Sequence, residues 1–282
     1  MSEKPLPIVE FRSVSLRYGE VWALRNVSFA LLPGETRIIL GAAGSGKTTL
    51  LKAVIGLVRV DQGTITLFGK EVTALKENEL FALRGQAGIV LQEGGLFDSL
   101  SIGENVEYPL LNQQTTEARV KSPPRSGSFE ERVRETLRFV ELEHTFDKFP
   151  SEVSGGMRRR VGIARAIVTE PPLVLYDSPT AGLDPITANT IMALIAKERD
   201  MTNTAALIVT HRYQDGEMMA NFRYDAAKEE LVELSEEEQQ STARIRTRFM
   251  VMKEGEIVFF GTRQELESSD DEYVKRFVRH EA

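Results

Sequence analysis

Gly41 to Thr48 reads GAAGSGKT, which fills every position of the pattern G-x-x-x-x-G-K-[ST]. The glycines let the backbone turn so that successive amide hydrogens point inward at one anion. The apolar run 37–40 leads into the loop, and 47–57 reads as a helix of good formers with a stop at Gly56. A helix starting near Lys47 adds the positive end of its dipole to the same anion. Lys47 reaches the β- and γ-phosphates as a mobile point charge, and the Thr48 hydroxyl is placed to ligate Mg²⁺. Strand, loop and helix in that order supply the context the pattern requires. The expected nucleotide-binding residues are therefore Gly41, Gly44, Ser45, Gly46, Lys47 and Thr48, with Thr49 beside them.

Working outward, 8–18 has rough strand periodicity and high β propensity. Residues 27–32 read as a second strand, ended by the Pro33-Gly34 turn. Residues 64–68 and 87–91 are further short strands. From about 104 to 160 the chain is helix-biased and more charged. Within it, 112–128 is polar and contains Pro123, Pro124 and Gly127, which reads as a loop or insertion. A helix resumes over 161–169 and Pro171-Pro172 ends it. Short apolar runs predict buried strands at 173–176 and 205–209. Strands and helices alternate on both sides of a helical block, so the fold class is α/β with a mostly parallel sheet.

The strand 173–176 runs into Asp177. Nucleoside-triphosphate enzymes use such a strand-end acid to hold the Mg²⁺ shell. Asp177 is assigned that role because the phosphate loop accompanies it. Hydrolysis also needs a group that orients and polarises the attacking water, and an acid is expected at the next position. The residue there is Ser178. A hydroxyl accepts a hydrogen bond from water but is a very poor base near neutral pH.

Composition narrows the classes further. The 282 residues carry 35 Lys and Arg against 42 Asp and Glu, a net charge of −7. That balance argues against a dedicated nucleic-acid binder. The chain has no cysteine, which excludes disulfides, thiolate catalysis and thiolate metal sites. No uncharged apolar run approaches the ~18 residues that span a bilayer. The amino terminus lacks the pattern of a signal peptide. These features predict a reducing, cytoplasmic setting, with any membrane contact made through a partner.

The remaining motifs bring a family into view. Ser154-Gly155-Gly156-Met157 resembles the signature sequence of the ATP-binding-cassette (ABC) ATPases, usually LSGGQ, and is followed by RRRVGIARAI. Tyr18 matches that family's adenine-stacking aromatic, and Gln92 its Q-loop glutamine, which touches Mg²⁺ and relays the state of the site to a transport subunit. Ala181-Gly-Leu-Asp184 is similar to the D-loop, with Asp184 at the dimer interface. His211, after the apolar IVT, matches the switch histidine that contacts the γ-phosphate. The resemblance covers about 8–277. It implies a P-loop NTPase fold as an ABC nucleotide-binding domain, with an antiparallel β subdomain and an α-helical subdomain beside the core sheet. One domain, 1–282, is expected: core at about 1–91 and 161–220, helical subdomain 92–160 with the insertion 112–128, a charged insertion 221–248, and closing strands and helix over 249–282.

The resemblance implies ATP and Mg²⁺ as cofactors and ATP hydrolysis coupled to transport. Thr48, Gln92 and Asp177 are then the metal ligands, and His211, Gln92 and Ser178 the catalytic positions, with Ser178 where the family has glutamate. Ser154, Gly155, Gly156 and Met157 would act in trans on the nucleotide of a second ATPase subunit, giving a homodimer. Alone, Ser154 reads as a helix cap. A lone Tyr18 is more often packing, and a lone His211 structural. The Arg158–Arg160 run reads as a solvated helix face with packed aliphatic stems.

Met157, the run 91–110 (LQEGGLFDSLSIGENVEYPL) and the tail GEIVFFGTRQEL are similar to the ATPases of Mla- and Mce-type lipid transporters. That implies membrane permease subunits and an MCE-type substrate-binding protein as partners, no nucleic acid, and a peripheral location on the cytoplasmic face of the inner membrane. Two other readings compete: an ATP-binding switch with little hydrolysis, suggested by Ser178, and a soluble non-transport ABC protein. The segment 221–248, acidic and then basic, reads as a solvated insertion that could pair into a hairpin or form a charged helix.

Overall fold

A computed structural model describes residues 6–92, 94–113, 128–235, 238 and 246–278. The strands are β1 Val9–Tyr18, β2 Val21–Leu31, β3 Thr36–Gly41, β4 Gln62–Leu67, β5 Lys70–Glu71, β6 Ala87–Val90, β7 Leu173–Asp177, β8 Ala205–Val209, β9 Phe222–Asp225, β10 Glu230–Glu233, β11 Thr247–Lys253 and β12 Glu256–Gly261. The α-helices are α1 Lys47–Val54, α2 Glu77–Arg84, α3 Ile102–Gln113, α4 Phe129–Phe139, α5 Gly155–Ile167, α6 Pro185–Thr202, α7 Tyr213–Asn221, α8 Arg263–Glu267 and α9 Glu272–Val278.

The apolar runs around residues 37–40, 173–176 and 205–209 lie side by side. They form the centre of a six-stranded sheet of order β12-β11-β3-β8-β7-β6. All pairs from β11 to β6 are parallel, and only β12 is antiparallel. These strands read as continuous apolar runs because both faces are covered. Successive side chains point to opposite faces. Ile38, Leu40, Val174, Tyr176, Ala206 and Ile208 enter one core, which also takes residues from α3 to α7. Ile39, Leu173, Leu175, Ala205, Leu207 and Val209 enter the other, against α1 and a four-stranded antiparallel sheet of order β2-β1-β4-β5. The mostly parallel core sheet, the antiparallel β subdomain and the helical block are therefore all present.

The local differences from the sequence reading have physical causes. β2 begins at Val21 rather than 27. A turn at Gly19 (φ +59) allows Tyr18 to pair with Val21. Asn26 at φ +51 then interrupts the alternation that a period-2 reading follows. α5 begins at Gly155 rather than 161, because Ser154 caps it and its Oγ accepts from the Met157 amide at 3.2 Å. Such a cap offsets the poor helix propensity of Gly155 and Gly156. α1 ends at Val54, and Gly56 (φ +65) follows as the stop.

Most of the expected insertion 112–128 lies outside the described residues. Among the described residues of 221–248, a hairpin forms between neighbouring segments rather than between the acidic and basic blocks. Phe222–Asp225 pairs with Glu230–Glu233, while Thr247 onward joins the core sheet beside β3. Among the described residues, no helix is long and apolar enough to cross a membrane.

One buried acid gives a stability prediction remote from the site. Glu198 on α6 is buried, and its Oε1 accepts from Thr202 Oγ1 (2.9 Å) and Thr204 Oγ1 (3.3 Å). Burial pushes its carboxyl up, and those hydrogen bonds oppose the shift. An acid raised in the folded state destabilises the fold while it is ionised, and the cost vanishes once pH falls below its unfolded value. Glu198→Gln keeps an acceptor for both hydroxyls. We expect Tm to rise at pH 7 by about 2–4 °C, the equivalent of ~1 kcal/mol. That gain should shrink towards pH 4 in thermal melts.

Candidate functional site

Four neighbouring parallel strands deliver the site at their carboxyl ends, the edge where open α/β sheets bind ligands. β3 ends at Gly41 and opens the phosphate loop. β7 ends at Asp177, β8 leads to Thr210 and His211, and β6 leads to Gln92. The order β3-β8-β7-β6 sets these four groups in one row.

Within the loop, Gly46 adopts φ +103, and a Cβ there would lie 2.1 Å from the Ala23 carbonyl. Only glycine fits at that φ and that approach. Lys47 Nζ donates to Gly41 O (2.7 Å), Ala42 O (2.8 Å) and, weakly, Ser45 Oγ (3.4 Å). The ammonium is thus held over the cradle. Burial pulls its pKa down, and the Asp177 charge opposes that shift. Thr48 Oγ1 lies 3.3 Å from Asp177 Oδ1, and Ser178 Oγ lies 3.4 Å from the same oxygen. Hydroxyl and carboxylate oxygens with open positions suit a hard divalent cation such as Mg²⁺. Among the described residues, no cluster of three or more His, Cys, Asp or Glu could hold a metal ion alone. The donor set therefore suits an ion brought in with phosphate oxygens.

The other predicted residues fall around this row. Tyr18 ends β1 with 55 % of its surface exposed, and Thr49 lies in the first turn of α1, half-buried. Gln92 and His211 are exposed. The backbone just beyond Gln92 is tied to α5, where Arg165 donates to Gly94 O (2.9 Å) and Gly95 O (2.8 Å). Ser154, Gly156, Met157 and Asp184 share a separate cleft of about 340 Å³ between α5 and α6, and Gly155 starts α5 beside them. None of 41–49 lines that cleft. Asp184 caps α6, accepting from Thr187 Oγ1 (2.6 Å) and N (3.0 Å), which hold its carboxyl below the usual range.

The arginine run is not a solvated face. Arg158 donates to Val153 O (2.8 Å) and Arg160 to Val140 O (3.2 Å). Arg159 is 7 % exposed, and its guanidinium donates to the carbonyls of Ser178, Pro179 and Ala181. Sequence reading missed Arg159 and the buried Asp215 as site-supporting residues. A charged residue at the head of an apolar helical stripe (Arg159 with Ile163, Ala166 and Ile167) was the available signal for the first. Only the fold reveals the second.

A protein-family model described as ABC transporter matches residues 24–181. The probable ribonucleotide transport ATP-binding protein mkl of Mycobacterium leprae is 33 % identical over 203 residues, covering 72 % of this chain and 56 % of that protein. The methionine import ATP-binding protein MetN of Brucella abortus is 35 % identical over 213 residues, covering 74 % and 55 %. The chain thus spans just over half the length of these curated relatives. Among solved structures, the ATP-binding cassette MJ0796, a dimer in a post-hydrolysis state bound to ADP and Pi, superposes with a TM-score of 0.71 at 28 % identity over 90 % of this chain and 98 % of that one. The cbiO1 protein of Clostridium perfringens, part of the ABC transporter complex cbiONQ, gives a TM-score of 0.71 at 25 % identity over 96 % and 94 %.

Proposed function

The chain belongs to the ABC transporter family, and from that premise we propose that it is the ATP-binding, ATP-hydrolysing subunit that drives a separate membrane permease. The observation that carries this reading is the row formed by Lys47, Thr48 and Asp177 at the ends of β3 and β7. The amides of 41–48 and the Lys47 ammonium bind the phosphates. Thr48 and Asp177, with Gln92 from the next strand, would hold Mg²⁺, which neutralises the charge shared by the β- and γ-phosphates. Tyr18 offers an exposed ring for adenine. His211, exposed after β8, would contact the γ-phosphate and orient the attacking water.

The open cleft at Ser154, Gly156 and Asp184 supports a homodimer in which each chain closes on the nucleotide of the other. ATP binds the closed pair better than the open pair, and that difference moves the permease. Leu91, next to Gln92, is exposed, as are Phe97, Tyr108 and Leu111, and the Phe97 and Tyr108 rings meet with centroids 4.8 Å apart. Such a patch suits docking to a membrane partner on the face of an inner membrane. For the cargo we favour a lipid or another hydrophobic molecule, with an MCE-type binding protein, on the strength of Met157 and the 91–110 run. The two relatives' names instead refer to methionine and ribonucleotides.

The test is phosphate release by the purified chain, alone and co-purified with its membrane partners. We expect Mg²⁺-dependent ATP binding, slow release alone and a permease with bound lipid in the co-purified material. Absence of ATP binding would overturn the reading. A polar small molecule in place of lipid would overturn the cargo alone. Ser178 supports a second reading, an ATP-driven clamp that closes but hardly hydrolyses; normal turnover in the complex would exclude it.

A further inference from the structure

Asp215, in the first turn of α7, is 2 % exposed, and no part of the phosphate chemistry above uses it. Its Oδ2 accepts from Thr180 Oγ1 and from Thr210 Oγ1, both at 2.6 Å. These donors come from different loops. Thr180 lies two residues after Ser178, in the segment between β7 and α6. Thr210 immediately precedes His211, and its Oγ also accepts from the Arg212 amide (3.1 Å). One carboxylate oxygen therefore fastens the loop of the degenerate catalytic position to the turn of the switch histidine.

The same loop is held from its other side. Arg159 donates to Ser178 O (3.0 Å), Pro179 O (2.9 Å) and Ala181 O (3.0 Å) from within α5, the helix that Ser154 caps. The Ser178 amide also donates to Val209 O at 2.9 Å. Burial pushes the Asp215 carboxyl up, the two threonine hydroxyls pull it back, and Arg212 and His211 stabilise its charge. A buried acid kept this way, 3.8 Å from Arg212, is expensive unless its hydrogen bonds are needed.

We infer that Asp215 is a positioning residue that locks the Ser178 loop to the His211 turn, and that Arg159 ties this block to the signature helix. Closure of a second subunit on Ser154 and Gly156 then bears on His211 and Ser178 of the same chain through a stiff path of hydrogen bonds. The kinetic consequence rests on the ATP-hydrolysis reading; the mechanical link does not.

The experiment uses the full chain with Thr180→Val, Thr210→Val and the double variant, which remove hydroxyls at nearly constant shape. In the nucleotide-free protein, hydrogen exchange is read separately over 178–184 and 210–216. We expect Thr210→Val to quicken exchange across 178–184, and Thr180→Val across 210–216. Changes confined to the substituted loop would overturn the lock. In turnover assays, each single variant should lose about 10- to 100-fold in kcat with little change in KM, as for misplaced catalytic groups. The double variant should lose no more than the worse single one, and Thr180→Ser and Thr210→Ser should retain kcat. Wild-type kcat in both valine variants would also overturn the positioning role. A wild-type chain without turnover would overturn the ATPase reading, while the exchange experiment still decides the lock.

Discussion

Ser178→Glu should raise steady-state ATP turnover by about 10²–10⁴-fold, the usual contribution of general-base assistance. Ser178 follows Asp177, the acid proposed to hold Mg²⁺ at the end of β7, and its Oγ lies 3.4 Å from the Asp177 carboxylate. Its backbone is left-handed, at φ +50. That conformation does not bar glutamate. Glu141, Glu170, Glu229 and Glu254 all hold φ between 49 and 61 in this same chain. A carboxylate placed beside Asp177 meets like charge, which raises its pKa and makes it a stronger base. The Arg159 contacts to the 178–181 carbonyls fix the backbone from which the new side chain projects. The comparison is phosphate release by wild type, Ser178→Ala and Ser178→Glu in the assembled complex. Ordinary wild-type turnover that is unchanged in Ser178→Ala and little raised in Ser178→Glu would show that another group already does the work.

Much of this candidate site is legible in the sequence, because its parts are short and contiguous. The loop 41–48 carries its own chemistry, and the strands that feed it are apolar on both faces, so an apolar run marks them. What sequence could not place was anything joined across the sheet. Thr180, Thr210 and Asp215 lie in separate segments, each with an unremarkable polar side chain. They meet only because β7 and β8 are neighbours. Arg159 was legible as a charge but not as a buried one. Its partners are backbone carbonyls, which no residue type advertises. The strand β2 was half-read for a local reason: a left-handed Asn26 breaks the alternation on which the reading depends. The hairpin Phe222–Asp225 with Glu230–Glu233 escaped because cross-strand pairing follows register, not the signs of adjacent charge blocks.

Lys47→Ala should weaken ATP binding by about 30- to 4,000-fold, as expected for deleting one partner of a half-buried ionic contact worth roughly 2–5 kcal/mol. Turnover should fall below detection. Two effects act together. The substitution removes the ammonium proposed to meet the phosphates, and it removes the donor that Gly41 O and Ala42 O share. The second effect is present without nucleotide. It loosens the turn whose amides form the cradle, and it should lower the nucleotide-free Tm by about 2–4 °C for each ~1 kcal/mol lost. Lys47→Met keeps much of the aliphatic stem but no donor, so it should match Lys47→Ala in both measurements. Lys47→Arg keeps the charge but spreads it over a planar fork that cannot be buried as a compact point. It should therefore bind ATP better than Lys47→Ala while still turning over poorly. Titration with a fluorescent ATP analogue, beside melts of the apo chain, separates the cradle from the charge. Near-wild-type ATP affinity in Lys47→Ala would mean that this loop is not the phosphate site, since neither the helix dipole nor the remaining amides can replace a full positive charge at that distance.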